Sequence, residues 1–138
     1  MTPVFLDTSF LIALTAADDA HHSVALVWQR AVKAPLLTTE YVLLEFLDAL
    51  VSETGRQLAA SSVEAMRRHS GITIVAASTP LFDAGLALYS QRIDKIWGIT
   101  DCISFVVMHQ HQITDALTSD HHFEQAGFTS LLRHNPPS

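Results

Sequence analysis

Hydrophobic positions along this chain alternate between short apolar runs and longer runs with helical spacing. Residues 3–7, Leu36-Leu37-Thr38, Ile72-Thr73-Ile74-Val75, Ile113 to Thr118 and Phe128 to Leu132 are short and apolar, which predicts strands. Helical patterns lie between them. One covers residues 8–17, and a second, begun by Asp18-Asp19, runs from His21 to Val32 before Pro35 breaks it. Thr39 caps a third with apolar positions Val42, Leu43, Phe46, Leu47, Leu50 and Val51, ended by Gly55. A fourth spans 56–69 and stops at Gly71. Thr79-Pro80 starts a fifth that reaches Gln91, with Pro in the favoured first turn. Thr100 opens a strongly apolar sixth, and His121 to Gln125 form a short seventh. Strands alternating with helices predict an α/β fold, a mostly parallel sheet covered by helices on both faces.

Composition narrows this picture. Of 138 residues 49% are hydrophobic, with no linker, repeat or low-complexity tract, so residues 1–138 read as one domain with a real core. The apolar N-terminus is interrupted by Asp7 and carries no Lys or Arg before Arg30, unlike a signal peptide. No uncharged run approaches the roughly 20 residues a membrane helix needs. Cys102 is the single cysteine, which excludes an intrachain disulfide. A soluble cytoplasmic protein is the expectation. The net charge of −6 argues against a general nucleic-acid binder. It leaves room for an enzyme whose carboxylates are neutralised by divalent cations.

The candidate chemistry sits where elements meet. Asp7 ends the first strand run, Asp101 stands in the first turn of an apolar helix, and Asp120 follows the strand run ending at Thr118. At each, helix capping or a favourable helix dipole competes with metal binding. Both roles are open at any one of them. Ligands of open α/β sheets gather outside the carboxyl ends of the strands, and all three acids belong to that edge. Glu45 lies beside the apolar stripe of its helix, at a boundary or in a buried polar site. Three or four convergent carboxylates repel one another unless cations are present, and Mg²⁺ and Mn²⁺ take oxygen ligands. Two such ions can activate a water and stabilise a leaving oxygen in phosphodiester cleavage.

Other residues read more plainly. Thr8, Ser9, Thr100 and Ser119 flank the acids and either cap helices or orient a carboxylate. The pairs His21-His22, His109 with His111, and His121-His122 are too closely spaced to share a helical face, which argues against a compact zinc site. His121 or His122 could still touch substrate. Cys102 reads as packing, and Asp18, Asp19 and Asp48 as solvated or capping. The eight Lys and Arg residues are scattered.

Phe5-Leu6-Asp7-Thr8-Ser9, Thr38-Thr39 with Glu45, Thr100-Asp101-Cys102-Ile103-Ser104-Phe105 and Ala116 to Phe123 followed by Gln125-Ala126-Gly127-Phe128 resemble, in that order, a PIN-domain protein. The nearest likeness is to the VapC-type ribonuclease toxins of prokaryotic toxin–antitoxin pairs and their solitary relatives. It spans essentially the whole chain. The resemblance implies a flavodoxin-like α/β/α sandwich and Mg²⁺- or Mn²⁺-dependent cleavage of RNA. It carries the family's acidic quartet onto Asp7, Glu45, Asp101 and Asp120, and its hydroxyl positions onto Ser9, Thr100 and Ser119. It also implies a homodimer and a cognate antitoxin whose tail blocks the acidic site. One departure is Asp115, where relatives carry a neutral or apolar residue.

Two other readings compete. One is a PIN-fold module that binds RNA or protein without turnover. The other is a phosphotransferase or receiver domain, which shares an Asp after the first strand. Phosphotransferases of the haloacid dehalogenase kind need a second Asp two residues on, where this chain has Ser9.

Overall fold

The computed structural model describes residues 1–137. Five strands, β1 (Val4–Leu6), β2 (Leu36–Thr39), β3 (Ile72–Val75), β4 (Asp115–Leu117) and β5 (Thr129–Ser130), form one sheet in the order β3-β2-β1-β4-β5. Every pairing is parallel, so the sheet is wholly rather than mostly parallel. The helices are α1 (Thr8–Thr15), α2 (His22–Ala31), α3 (Glu40–Ala49), α4 (Glu53–Arg68), α5 (Thr79–Gln91), α6 (Ile99–Gln110) and α7 (His122–Gln125).

Strand alternation sorts the core into two sides. Leu6 and its β4 partner Leu117 face Phe10, Leu11, Phe46 and Met66 of α1, α3 and α4. Phe5 points the other way, its ring 6.3 Å from Phe123 of α7. Phe105 of α6 packs edge-on against both Phe123 and Trp97, with ring centroids 5.0 Å apart in each pair. Layers on both faces make a three-layer α/β/α sandwich, as right-handed crossovers in this strand order require. The chain leaves β1 toward β2 on one side and returns past it to β4 on the other. The switch point therefore lies between β1 and β4, the place where open α/β sheets bind ligands.

Several boundaries shift by a few residues from the sequence expectation, and three of the shifts have a clear local cause. The third helix ends at Ala49, not at Gly55. Ser52 starts α4 instead: its Oγ accepts from Gly55 N at 3.2 Å, and a Cβ on Gly55 would sit 2.8 Å from that oxygen. Gly55 thus allows a cap to form rather than ending a helix. At the far end the expected strand from Phe128 to Leu132 shrinks to two residues. Leu131–Arg133 turn into a single 3₁₀ turn, and Leu132 N bonds Thr118 O at 3.1 Å. The sixth helix begins at Ile99, with Gly98 as N-cap, one residue before Thr100.

The α5–α6 contact depends on a missing side chain. A Cβ on Gly85 would fall 2.3 Å from Ile103 Cγ1 and 3.3 Å from its Cα. We expect Gly85→Ala to push the two helices apart and destabilise the fold by about 1–3 kcal/mol, the usual cost of overpacking. Urea denaturation measures this; an unchanged midpoint would mean the helices close without strain.

Candidate active site

Four loops and helix starts meet at the carboxyl edge of β1 and β4. Asp7 follows β1 directly and caps α1, with Ser9 N 3.4 Å from its Oδ2. The same oxygen accepts from Thr118 Oγ1 at 2.7 Å and from Ser9 Oγ at 3.0 Å. All three bonds go to Oδ2, which leaves Oδ1 without a protein partner among the described residues. Capping and site chemistry were alternatives from sequence; here one carboxylate has an oxygen for each.

Thr118 is the hub that sequence reasoning passed over. Beyond its bond to Asp7, its hydroxyl lies 3.0 Å from Ser9 Oγ and accepts from Asp120 N at 3.0 Å. Ser119 N donates to Ser9 Oγ at 3.1 Å, so Ser119 contributes through its backbone. These bonds tie the β1–α1 junction to the β4–α7 junction. Asp120 is further held by Ser130 Oγ, which donates to its carbonyl at 2.7 Å, and its Oδ1 accepts from His122 N at 2.8 Å. Asp101, at the third position of α6, accepts from Gly98 N at 3.3 Å. His122 Nδ1 sits 3.2 Å from Asp101 Oδ2 and 3.4 Å from Asp120 Oδ1, joining two acids. Glu45 of α3 accepts from Thr8 Oγ1 at 2.5 Å.

A cleft of about 390 Å³ collects Asp7, Glu45, Asp101 and Asp120 together with Thr8, Ser9 and His122, with Ile12, Ala49, Ile96 and Gly98 completing its wall. Thr100 does not line it, and neither does Ser119. Asp115 opens β4, at the end of that strand away from Asp120. No Lys or Arg lines the cleft among the described residues. The basic side chains that pair do so elsewhere, Arg67 with Glu64, Arg92 with Asp94 and Arg133 with Glu124.

The electrostatic result is a concentration of uncompensated negative charge. Asp7 is only 4% exposed, and burial pushes its carboxyl up to about 6 despite the hydrogen bonds from Thr118 and Ser9. The Asp101 carboxylate adds to that rise. Asp101 is itself raised, first by burial and then by Asp120, with His122 pulling the other way. A buried carboxylate with a free oxygen, facing three more acids and no cation, suits a hard divalent ion. The donor set is oxygen-rich, with one imidazole at its edge.

The PIN domain family model matches residues 4–129. The chain belongs to the PIN domain family. Among curated PIN-domain relatives, this chain is 30% identical over 130 residues to the 23S rRNA-specific endonuclease VapC20 of Mycobacterium tuberculosis, in both strains CDC 1551 / Oshkosh and H37Rv. The match covers 93% of this chain and 97% of VapC20. The crystal structure of M. tuberculosis VapC20, described as a sarcin-ricin loop cleaving toxin, superposes on this PIN domain with a TM-score of 0.86. That match is 26% identical and covers 93% of this chain and 98% of VapC20. No helix among the described residues is long and apolar enough to cross a membrane.

Proposed function

We infer that this PIN domain is a Mg²⁺- or Mn²⁺-dependent endoribonuclease, and that its substrate is a structured loop of 23S ribosomal RNA. The observation that carries the reading is the cleft itself. Four acids from the β1–α1 junction, α3, α6 and the β4–α7 junction converge there without a Lys or Arg to neutralise them. The likeness to VapC20 across nearly the full length of both chains supports the choice of RNA.

Asp7, Asp101 and Asp120 are the proposed metal ligands, with Glu45 as ligand or positioner. Ser9 and Thr118 fix Asp7 through one oxygen so that the other faces the cleft. Thr8 holds Glu45 in the same way. A bound divalent ion would supply Lewis-acid polarisation of the phosphate and a water nucleophile at neutral pH. Ser119 acts through its backbone on Ser9, and Thr100 through the first turn of α6.

A cognate antitoxin that covers the acidic cleft belongs to this reading, as does a cytoplasmic setting, where ribosomes are found. So does a homodimer. On α5, Phe82, Leu86 and Tyr89 recur at helical spacing and stay exposed, and Ile93 and Ile96 continue the apolar strip past the helix end.

The substrate is tested by incubating the purified protein with ribosomes and Mn²⁺ and mapping new RNA 5′ ends. One discrete cut in a 23S rRNA loop is expected. Cleavage confined to transfer or messenger RNA would replace the ribosomal target with another.

A further inference from the structure

In a continuous helix neighbouring histidines such as His121 and His122 point to different faces. These residues instead sit at the very start of α7, with His121 as its N-cap. Their rings lie 4.6 Å apart. His122 Nδ1 is 3.4 Å and His121 Nδ1 3.8 Å from the same atom, Asp120 Oδ1. One donor atom from each of the three side chains lies within 4.8 Å of the other two.

The two spacings to Asp120 Oδ1, 3.4 and 3.8 Å, are near what a transition metal needs. Zn–N and Zn–O bonds of about 2.0–2.1 Å in a tetrahedral shell place neighbouring donors about 3.3 Å apart. Hydrogen bonding explains His122 in the metal-free chain, where Nδ1 lies 3.2 Å from Asp101 Oδ2 and the backbone N–H donates to Asp120; coordination would use that same Nδ1 unprotonated and so replaces its bond to Asp101. Hydrogen bonding does not explain His121. That ring is 57% exposed, and its Nδ1 stands 3.8 Å from Asp120 Oδ1, beyond hydrogen-bond reach. Imidazole favours zinc and its neighbours over magnesium. Two imidazoles and a carboxylate at an open surface leave a fourth position for water.

We propose that Asp120, His121 and His122 form a second metal site, which takes Zn²⁺ or a similar imidazole-seeking divalent ion at the edge of the acidic cleft. Because the site uses Asp120, its occupation withdraws that carboxylate from the cleft and shuts down cleavage. The inhibitory half of this proposal rests on the ribonuclease reading above; the binding half does not.

The test uses metal-stripped full-length protein and Zn²⁺ as the probe, read by calorimetry. The unmodified chain is expected to bind one Zn²⁺ tightly. His121→Asn should weaken that binding by about 100-fold or more, at least the upper end of what losing an outer-shell partner costs. His111→Asn, which alters another exposed histidine, should leave it unchanged. Equal Zn²⁺ affinity in the unmodified and His121→Asn chains would overturn the site. In parallel, Zn²⁺ added to Mn²⁺-supported RNA cleavage should inhibit the unmodified chain and spare His121→Asn, whose altered residue lies outside the cleft. Zn²⁺ that binds as expected but inhibits both chains alike would overturn the regulatory half. The calorimetry reads the site even if RNA is never cut, so the two readings fail separately.

Discussion

Asp7→Asn is expected to abolish RNA cleavage and, in metal-free protein, to raise stability at neutral pH. The two effects share one cause. Asn keeps the size of Asp and an oxygen to receive Thr118 Oγ1 and Ser9 Oγ, so the hydrogen-bonded frame survives. It removes the charge that a divalent ion would need, and activity should fall by about 100-fold or more, the scale seen when one electrostatic group is lost from an active site. The same charge is a cost to the empty fold. Asp7 titrates at about 6 when folded, against a usual value of 3.8. Between those two values the folded chain holds more protons than the unfolded one, so stability falls as pH rises through this window. Above about pH 6 the full penalty is present, on the order of 3 kcal/mol. Denaturation of both chains in chelator across pH 4 to 8 should show matching stability at the acid end and a more stable Asn variant at neutral pH. An Asn variant less stable at pH 7 would mean that the buried Asp7 charge is not a net cost to the empty fold.

Thr118→Val should produce the second largest change. Valine matches threonine in shape but has no hydroxyl. Asp7 loses its shortest hydrogen bond, and Asp120 N loses its acceptor. Leaving such groups unmet in a buried setting costs about 1–3 kcal/mol. The bond from Thr118 is also the strongest influence holding the Asp7 carboxyl down, so its loss raises that group further. The acid limb of the cleavage pH profile should then move to higher pH: below about pH 6 activity should fall by about tenfold for each pKa unit of displacement, while activity well above that range should change little through this group. Thr118→Ser restores the hydroxyl and should restore both stability and profile. A valine variant with an unmoved acid limb would remove Thr118 from the control of Asp7.

Asp7, Asp101 and Asp120 were legible in the sequence because each interrupts or adjoins an apolar run at an element boundary, and the α/β pattern sends such boundaries to one edge. Glu45 was legible as an acid beside an apolar stripe. Thr118 was not. It closes an apolar run and reads as the last residue of a strand; its role exists only because β1 and β4 are neighbours in the sheet. Its bond to Asp7 spans 111 residues. Thr8 was noted only as a flanking hydroxyl, since its link to Glu45 needs α1 and α3 side by side. The misplaced end of α3 has a local cause: Gly55 looked like a stop signal, whereas Ser52 three residues earlier was the start signal for α4.

The most direct test of the central claim is metal add-back. Protein stripped with chelator is given RNA, then Mg²⁺ or Mn²⁺, and cleavage is followed beside Asp7→Asn under the same conditions. The acidic cleft requires that the stripped protein be silent, that either ion restore cutting, and that the Asn variant stay silent throughout. Cleavage that persists in chelator, or that proceeds equally in both chains, would contradict a divalent-ion ribonuclease built on Asp7.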